Sequence, residues 1–405
     1  MSSPQVIVLG GGAAGFFAAI ACAETNPRSR VVILEKSRAL LAKVRLSGGG
    51  RCNVTHACFE PSALIQNYPR GGRELRGPFT RFQPRDTVDW FARHGVRLKT
   101  EADGRLFPVT DRSETIVDCL IETARRAGVE IRTEAAIASI ERSESRFMIN
   151  FKAAETLIGD RILLATGSNP QGYAWAAKLG HTLEPPVPSL FTFTLDDARL
   201  IDLAGISVEK IQVQLEGTHL EQTGPLLITH WGLSGPAILK LSAWGARALH
   251  DRHYHATLLI NWLPDYDASE LQRKLATLKA EHPRQLVAAT SPLSLPLRLW
   301  KRLVAASGIG VDRRWADVSK PQLSALTNEL SRGAYAIQGK GVFKEEFVTC
   351  GGVRLDEVNF KTMESRRCPG LYFAGEILDI DGLTGGFNFQ SAWTTGWIAG
   401  RAMSG

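Results

Sequence analysis

Three glycines and one acidic residue near the amino terminus have the spacing of a dinucleotide-binding motif. Gly10, Gly12 and Gly15 form the pattern G-x-G-x-x-G, and Glu35 follows twenty positions after the last of them. The first glycine permits a tight turn, the second lets the backbone approach a pyrophosphate, and the third lets a helix pack closely on a strand. The acid would accept hydrogen bonds from the hydroxyls of an unphosphorylated ribose. The motif itself does not distinguish NAD from FAD.

The elements that must position this motif are visible on either side of it. Residues 6–9 and 31–34 are unbroken apolar runs, typical of strands buried on both faces. Residues 16–24 are rich in alanine and predict the helix between them, whose N-terminal N–H groups would face the phosphates. An ordinary glycine turn in an α/β unit is the alternative interpretation, but here every part of the required context is present.

A second glycine-rich stretch also carries residues that could do chemistry. Ser47 to Asn53 has the sequence Ser-Gly-Gly-Gly-Arg-Cys-Asn, and Lys43 lies shortly before it. Three consecutive glycines beside polar side chains indicate a backbone held close to a ligand. A flexible surface loop is the alternative, although flexible linkers usually consist of glycine and serine alone.

The carboxyl ends of two later apolar runs resemble the first motif in composition. Ala165-Thr166-Gly167 follows the run at 161–164, and Gly375-Glu376 follows the run at 371–374. Asp381 then leads through glycines into an apolar helix. A strand, an acid and a glycine turn before a helix N-terminus predict a second site for an anion or dipole.

Composition limits the class of protein. The 405 residues are 44% hydrophobic and 22% charged, which is typical of a soluble globular protein of two or three domains. There is no apolar run of about eighteen residues and no leader-like start, so we expect no membrane span and a cytoplasmic location. The six cysteines are scattered, and neither a disulfide framework nor a metal site is predicted.

The charge pattern bears on the partner. The formal net charge is +7, and the segment Arg70 to Arg85 contains five arginines against one acid. With Tyr68, Phe79 and Phe82 interleaved, this segment could contact RNA through its phosphates and through base stacking. A solvated basic loop is the alternative, because net charge alone indicates only non-specific attraction.

The chain changes character near residue 185 and changes back near residue 349. Three prolines at positions 185, 186 and 188 predict a domain boundary, after which alternating strands and then helices follow. We therefore predict an α/β protein with a Rossmann-like domain of the two-part flavoprotein type. Residues 1–188 and 346–405 would form that domain, interrupted by a β-rich sheet or barrel at 189–264 and a helical region at 265–345.

Together these motifs resemble the bacterial BaiN/RdsA flavoproteins, an aminoacetone-oxidase-like FAD-binding family. Four stretches carry the resemblance, namely Val6–Glu35, Ser47–Asn53, Thr229–Pro236 and Leu371–Gln390. The resemblance implies non-covalently bound FAD, with the inserted region over the flavin face. Two positions depart from the family pattern: Leu41-Ala42 stands where Gly-Arg is expected, and His56 stands where Asn is expected.

The resemblance also implies roles for individual residues. The first glycines would hold the pyrophosphate, Glu35 the adenosine ribose, and the second glycine stretch would pass near the flavin ring. The helix after Gly385 would direct its N-terminus at the flavin N1–C2 edge and stabilise the negative charge of reduced flavin. The expected cofactor-binding residues are Gly10, Gly12, Ala13, Ala14, Gly15, Glu35, Lys36, Lys43, Ser47, Gly48, Gly49, Arg51, Cys52, Asn53, Ala165, Thr166, Gly167, Gly375, Glu376, Asp381, Gly385, Gly386, Phe387, Asn388 and Phe389.

Members of the family reduce either a uridine of ribosomal RNA to dihydrouridine or a steroid enone. Both reactions add hydride to a conjugated C=C bond and need a proton donor. Cys52 and His230 are the candidates, and for each the alternative is a packing residue. No second dinucleotide motif is present, so NAD(P)H would dock only transiently, as electron donor.

Three functions therefore remain open at the level of sequence. The first is an FAD-dependent reductase of ribosomal RNA uridine, which the positive charge favours. The second is an FAD-dependent oxidoreductase of a small molecule, an enone or an amine. The third is a flavin-bound RNA-binding factor without turnover.

Overall fold

The computed structural model describes residues 4–341 and 348–405. Its strands are β1 (Gln5–Leu9), β2 (Arg30–Leu34), β3 (Thr55–His56), β4 (Leu98–Thr100), β5 (Arg105–Pro108), β6 (Glu130–Arg132), β7 (Ile137–Ser143), β8 (Arg146–Phe151), β9 (Thr156–Gly159), β10 (Arg161–Leu164), β11 (Leu183–Ser189), β12 (Phe193–Thr194), β13 (Ser207–Leu215), β14 (Glu221–Thr229), β15 (Gly232–Ser234), β16 (Ala256–Asn261), β17 (Gly333–Ile337), β18 (Gly339–Lys340), β19 (Val348–Val353), β20 (Val358–Asn359), β21 (Glu364–Ser365) and β22 (Leu371–Phe373). Its helices are α1 (Ala13–Thr25), α2 (Ala42–Gly50), α3 (Pro61–Leu64), α4 (Gly72–Phe79), α5 (Pro84–Arg93), α6 (Ser113–Arg126), α7 (Pro170–Lys178), α8 (Pro236–Trp244), α9 (Ala246–Asp251), α10 (Ala268–Glu281), α11 (Leu297–Ala306), α12 (Lys320–Arg332) and α13 (Phe387–Met403). Within these described ranges, no helix combines the length and the apolar character that crossing a membrane requires.

A parallel sheet organises the unit formed by residues 4–187 and 348–405. β6, β2, β1, β10 and β22 lie side by side in that order and are all parallel, and antiparallel β21 and β20 extend the β22 edge. Because parallel strands end at the same edge of a sheet, Gly10, Glu35, Ala165 and Ala374 all follow strand ends on that edge. The predicted α/β Rossmann-like fold is confirmed.

The C-terminal helix α13 packs directly on the motif helix α1. A Cβ added to Gly396 would lie 2.6 Å from the carbonyl oxygen of Ala14, and one added to Gly400 would lie 2.2 Å from that of Ala18. Glycines at these positions allow the two helix backbones to approach this closely. Both ends of the chain therefore build one unit.

Residues 188–341 form a second compact unit around an antiparallel sheet. The strand order is β17-β16-β13-β14-β15-β12-β18. β17 and β18 belong to the region predicted as helical (265–345), whereas α8 and α9 belong to the region predicted as β-rich (189–264). The predicted division at residue 264 is therefore wrong, because strands from both sides of it share one sheet. The predicted boundary at 345/346 lies outside the described residues.

Candidate functional site

The glycine motif forms the turn between β1 and α1, and each of its glycines has a different environment. A Cβ on Gly10 would lie 2.4 Å from the carbonyl oxygen of Ala165, and a Cβ on Gly15 would lie 2.0 Å from that of Gly10. Gly10 also has a φ of +115°. A Cβ on Gly12, by contrast, would meet no heavy atom within 4 Å. Gly10 and Gly15 close the turn, while Gly12 leaves open space at the N-terminus of α1, where the motif predicts a pyrophosphate.

Glu35 ends β2 with its carboxylate held in a fixed position. Oε2 accepts a hydrogen bond from Gly11 N at 2.8 Å, and Oε1 accepts from Ser37 N at 2.9 Å and Ser37 Oγ at 2.8 Å. A carboxylate has about four lone-pair sites, so acceptor capacity is left for a ribose hydroxyl. Sequence reasoning did not select Gly11 or Ser37, although Gly11 lies inside the glycine run. Ala13 and Ala14 lie in the first turn of α1, and Lys36 is exposed.

The turn after β10 contains a buried hydroxyl with unused hydrogen-bonding capacity. Thr166 Oγ1 is buried and has no hydrogen-bond partner among the described residues. A Cβ on Gly172 would lie 1.9 Å from this oxygen, so glycine is required beneath it. Buried polar groups are nearly always paired, and an unpaired one beside the glycine motif fits a polar ligand group. With the open space at Gly12, the residues of this edge fit a dinucleotide.

The second glycine stretch is a fixed turn at the end of α2. Ser47 leaves helical geometry, and Gly48, Gly49 and Gly50 have φ values of +58°, +68° and +84°. Consecutive left-handed residues are accessible only to glycine without strain. Cys52 N donates to Ser47 O at 3.0 Å and closes the turn. A Cβ on Gly49 or Gly50 would meet nothing within 4 Å, so their backbone is open to approach.

The side chains after these glycines anchor the turn instead of facing open space. Arg51 Nη1 donates to Glu101 Oε1 at 2.6 Å, and its guanidinium lies 4.0 Å from the centre of the Phe107 ring. In the orientation that satisfies both neighbours, the Asn53 amide accepts from Gly386 N at 2.9 Å and donates to Thr55 O at 3.0 Å. Arg51 stays a predicted cofactor-binding residue as part of the stretch Ser47–Asn53, while its guanidinium is held by Glu101.

The two candidate proton donors differ in their surroundings. Cys52 is 0% exposed with a φ of +63°, and burial raises the pKa of its thiol to about 12. The thiol has no solvent-facing surface from which to reach a substrate, which supports the packing role and not that of an acid. His230 is exposed in the turn after β14, in the second unit.

Glu376 connects the C-terminal turn with the second glycine stretch. Its Oε2 forms an ion pair with Lys43 Nζ, and its Oε1 accepts from Thr349 N at 3.0 Å. Lys43 Nζ also lies 3.5 Å from Ser168 Oγ. Gly375 has a φ of +75°, and its N–H donates to Thr395 Oγ1 at 3.0 Å. Ser168 and Thr349 were not among the predicted site residues, because each acts through one isolated contact.

Asp381 and Arg70 form a buried pair. Asp381 Oδ1 accepts from Arg70 Nε at 2.5 Å, Oδ2 accepts from Arg70 Nη2, and the carboxylate is 0% exposed. Because its carboxylate is committed to Arg70, the prediction that Asp381 contacts the cofactor now concerns its backbone N–H. The Asn388 amide is also committed, since it exchanges two 2.8 Å hydrogen bonds with the backbone of Gly382.

The N-terminus of α13 approaches the second glycine stretch through two glycines. Gly385 and Gly386 have φ values of +128° and +92°, and a Cβ on Gly386 would lie 2.6 Å from Thr55 O. Phe387 stacks on His56 with ring centres 4.8 Å apart, and Phe389 stacks on Trp393 at 5.6 Å. The first N–H groups of a helix lack intrahelical partners and carry partial positive charge. This end of α13 can therefore stabilise a negative charge.

The segment Arg70 to Arg85 contributes exposed cations but no stacking rings of its own. Tyr68, Phe79 and Phe82 are buried, so their predicted role in stacking on bases is wrong. The helical period of α4 turns Phe79 inward together with Leu75. Four arginines of the segment are exposed, namely Arg73, Arg76, Arg81 and Arg85.

Comparison with known proteins agrees with this architecture. Residues 4–402 match the family described as HI0933-like protein Rossmann domain. The "ribosomal RNA dihydrouridine synthase" of Escherichia coli K12 is 32% identical over 98% of each chain. The "3-dehydro-bile acid delta(4,6)-reductase" of Clostridium scindens is 30% identical over 99% of each chain.

Among solved structures, a 3-ketosteroid-delta4-(5alpha)-dehydrogenase from Rhodococcus jostii RHA1 is similar with a TM-score of 0.51. The two share 15% identity, and the match covers 99% of this chain and 96% of that one. At this identity the likeness concerns the fold alone. The family resemblance predicted from the motifs is confirmed by the match to the family over nearly the whole chain. The chain thus belongs to the HI0933-like family.

Proposed function

We propose that this protein is an FAD-dependent reductase of a conjugated C=C bond whose substrate is a uridine of ribosomal RNA. The observation that carries the proposal is the 32% identity, over 98% of both chains, with the E. coli ribosomal RNA dihydrouridine synthase. The net charge of +7 and the exposed arginines of α4 and its flanks favour a polyanionic substrate. Ribosomal RNA as substrate implies a cytoplasmic enzyme.

FAD would bind non-covalently along the carboxyl edge of the parallel sheet. Gly12 and the N-terminus of α1 would hold the pyrophosphate, Glu35 would accept from the adenosine ribose, and Thr166 Oγ1 would gain its missing partner. The open backbone at Gly49 would lie near the flavin ring, and the first turn of α13 would stabilise negative charge on the ring. Bound FAD supplies the hydride chemistry.

The reaction also needs an electron donor and a proton donor. The sequence contains no second G-x-G-x-x-G after a strand, so NAD(P)H would reduce the flavin from a transient binding mode. With Cys52 buried, His230 is the remaining candidate proton donor.

A small-molecule enone is the second candidate substrate. The 30% identity with the Clostridium scindens bile acid reductase favours it, and the chemical step is the same kind of hydride addition. The exposed arginines would then be incidental to catalysis.

The test is the dihydrouridine content of ribosomal RNA, measured by mass spectrometry, in cells with and without the gene. We expect the modification to disappear on deletion and to return with the wild-type gene but not with a Gly12→Val variant. Unchanged dihydrouridine, together with oxidation of the reduced protein by conjugated enones, would support the second candidate. A flavin that NAD(P)H never reduces and no substrate reoxidises would indicate a non-catalytic RNA-binding factor.

A further inference from the structure

A cleft on the first unit lies between α4 and the segment 359–366, and its charged lining residues are three cations and one acid. Its volume is about 580 Å³, and Arg81, Lys361 and Arg366 line it together with one acid, Glu74. The three cations are exposed. Pro78 and Phe360 contribute apolar surface to the lining. A cleft of this composition suits a ligand that carries several negative charges and flat apolar groups.

A partly exposed tryptophan continues the cleft along α13. The guanidinium of Arg401 lies 4.8 Å from the centre of the Trp397 ring, and that of Arg81 lies 6.0 Å from it. Trp397 also stacks on buried Phe82, with ring centres 5.2 Å apart and an interplanar angle of 29°. Phe82 holds the indole in place, and Arg81 belongs to both the cleft and the indole site.

We propose that the cleft and Trp397 form a docking groove for an unpaired segment of RNA. Lys361, Arg366 and Arg401 would neutralise phosphates, and a base would stack on the Trp397 indole. Binding of single strands combines such cation-lined grooves with aromatic platforms, because every base offers a flat face. A base is available for stacking only where the RNA is unpaired. This inference rests on the proposed function, since it gives the RNA substrate a contact surface besides the candidate cofactor site.

The groove makes two separable predictions about RNA binding. Phosphate contacts release counterions, so the logarithm of the binding constant falls as the logarithm of the salt concentration rises. For single strands the slope has a magnitude of about 0.7 per phosphate contact. Replacing Lys361 and Arg401 by Glu should weaken binding and lower that slope by about one or more. Trp397→Leu should weaken binding roughly five- to a hundredfold while leaving the slope unchanged. Trp397→Tyr, which keeps an aromatic face, should restore most of the affinity.

The experiment measures fluorescence anisotropy of a labelled oligouridylate with the full-length, FAD-loaded protein, between about 50 and 200 mM salt. Arg125→Glu is the matched control, because Arg125 is an exposed arginine on α6, outside the groove. Equal FAD content and equal melting temperature exclude misfolding of each variant. The proposal is overturned if Trp397→Leu binds like wild type, or if the charge variants are no weaker than the control.

Failure of the groove and failure of the proposed function are distinguishable. Oligouridylate binding is measured without turnover. Weaker binding by the groove variants would therefore support the groove even if the protein formed no dihydrouridine. Normal binding by every groove variant, with dihydrouridine still formed in cells, would reject the groove and keep the reductase.

Discussion

The ammonium group of Lys43 forms an ion pair with the carboxylate of Glu376, across 333 positions of sequence. The same carboxylate accepts from Thr349 N at 3.0 Å, so it connects α2 with β19. A Cβ on Gly167 would lie 3.6 Å from Glu376 Oε2, which places the pair beside the turn after β10. The pair thus connects the turn after β22 with three other segments at the edge of the sheet where the dinucleotide is proposed to bind.

Glu376→Gln and Lys43→Gln should weaken FAD binding several-fold with little effect on stability. The Lys43 side chain is 57% exposed, and exposed ion pairs contribute only about 0–1 kcal/mol to the free energy of unfolding. Because each single variant already breaks the ion pair, the double variant should bind FAD no more weakly than the weaker single variant. Titration of FAD fluorescence and chemical denaturation measure the two effects. Additive losses in the double variant would contradict a joint role.

Gly12→Ala and Gly15→Ala should fail for different reasons. Gly12 has a φ of −96° and open space around it, so alanine there should leave the melting temperature of the apoprotein unchanged while blocking FAD. Gly15→Ala places a Cβ 2.0 Å from Gly10 O and should cost roughly 1–3 kcal/mol of stability or more. Thermal unfolding of the apoproteins separates the cases. A destabilised Gly12→Ala protein with normal FAD affinity would contradict the assignment.

Local patterns predicted the first motif well because its parts are close in sequence. The apolar runs at 6–9 and 31–34 lie within β1 (Gln5–Leu9) and β2 (Arg30–Leu34). The α4 region was predicted less well, because Phe79 was assigned to stacking on bases although the helical period turns it into the core. Leu75 and Phe79 are four residues apart and share the buried face.

Long-range partners could not be predicted from the sequence. Arg70 and Asp381 are separated by 311 positions, and nothing local indicates that the two charges cancel. The second unit illustrates the same limit, because β17 pairs with β16 across three intervening helices. Composition distinguishes most helices from strands along the chain, but two strands from the predicted helical region, β17 and β18, complete the sheet.

Arg70→Met should destabilise the protein by about 3–5 kcal/mol, because it removes the guanidinium from a carboxylate that is 0% exposed. Arg70→Met combined with Asp381→Leu should recover much of this loss, since no buried charge then remains from the pair. Urea denaturation of both variants provides the free energies of unfolding. If the double variant were as unstable as Arg70→Met, the cost would come from packing and not from the buried charge of Asp381.

Cys52→Ala should retain turnover. The thiol is 0% exposed and burial raises its pKa to about 12, so at neutral pH it neither reaches solvent nor ionises. For the same reason, a thiol reagent added to the folded protein should modify Cys58 first, because the other cysteines are buried. A Cys58→Ser variant should therefore react slowly until it is unfolded in denaturant. Rapid modification of Cys52 in the folded state, or an inactive Cys52→Ala protein with normal FAD content, would restore the thiol as the proton donor. Retained activity would direct the search for that donor to His230.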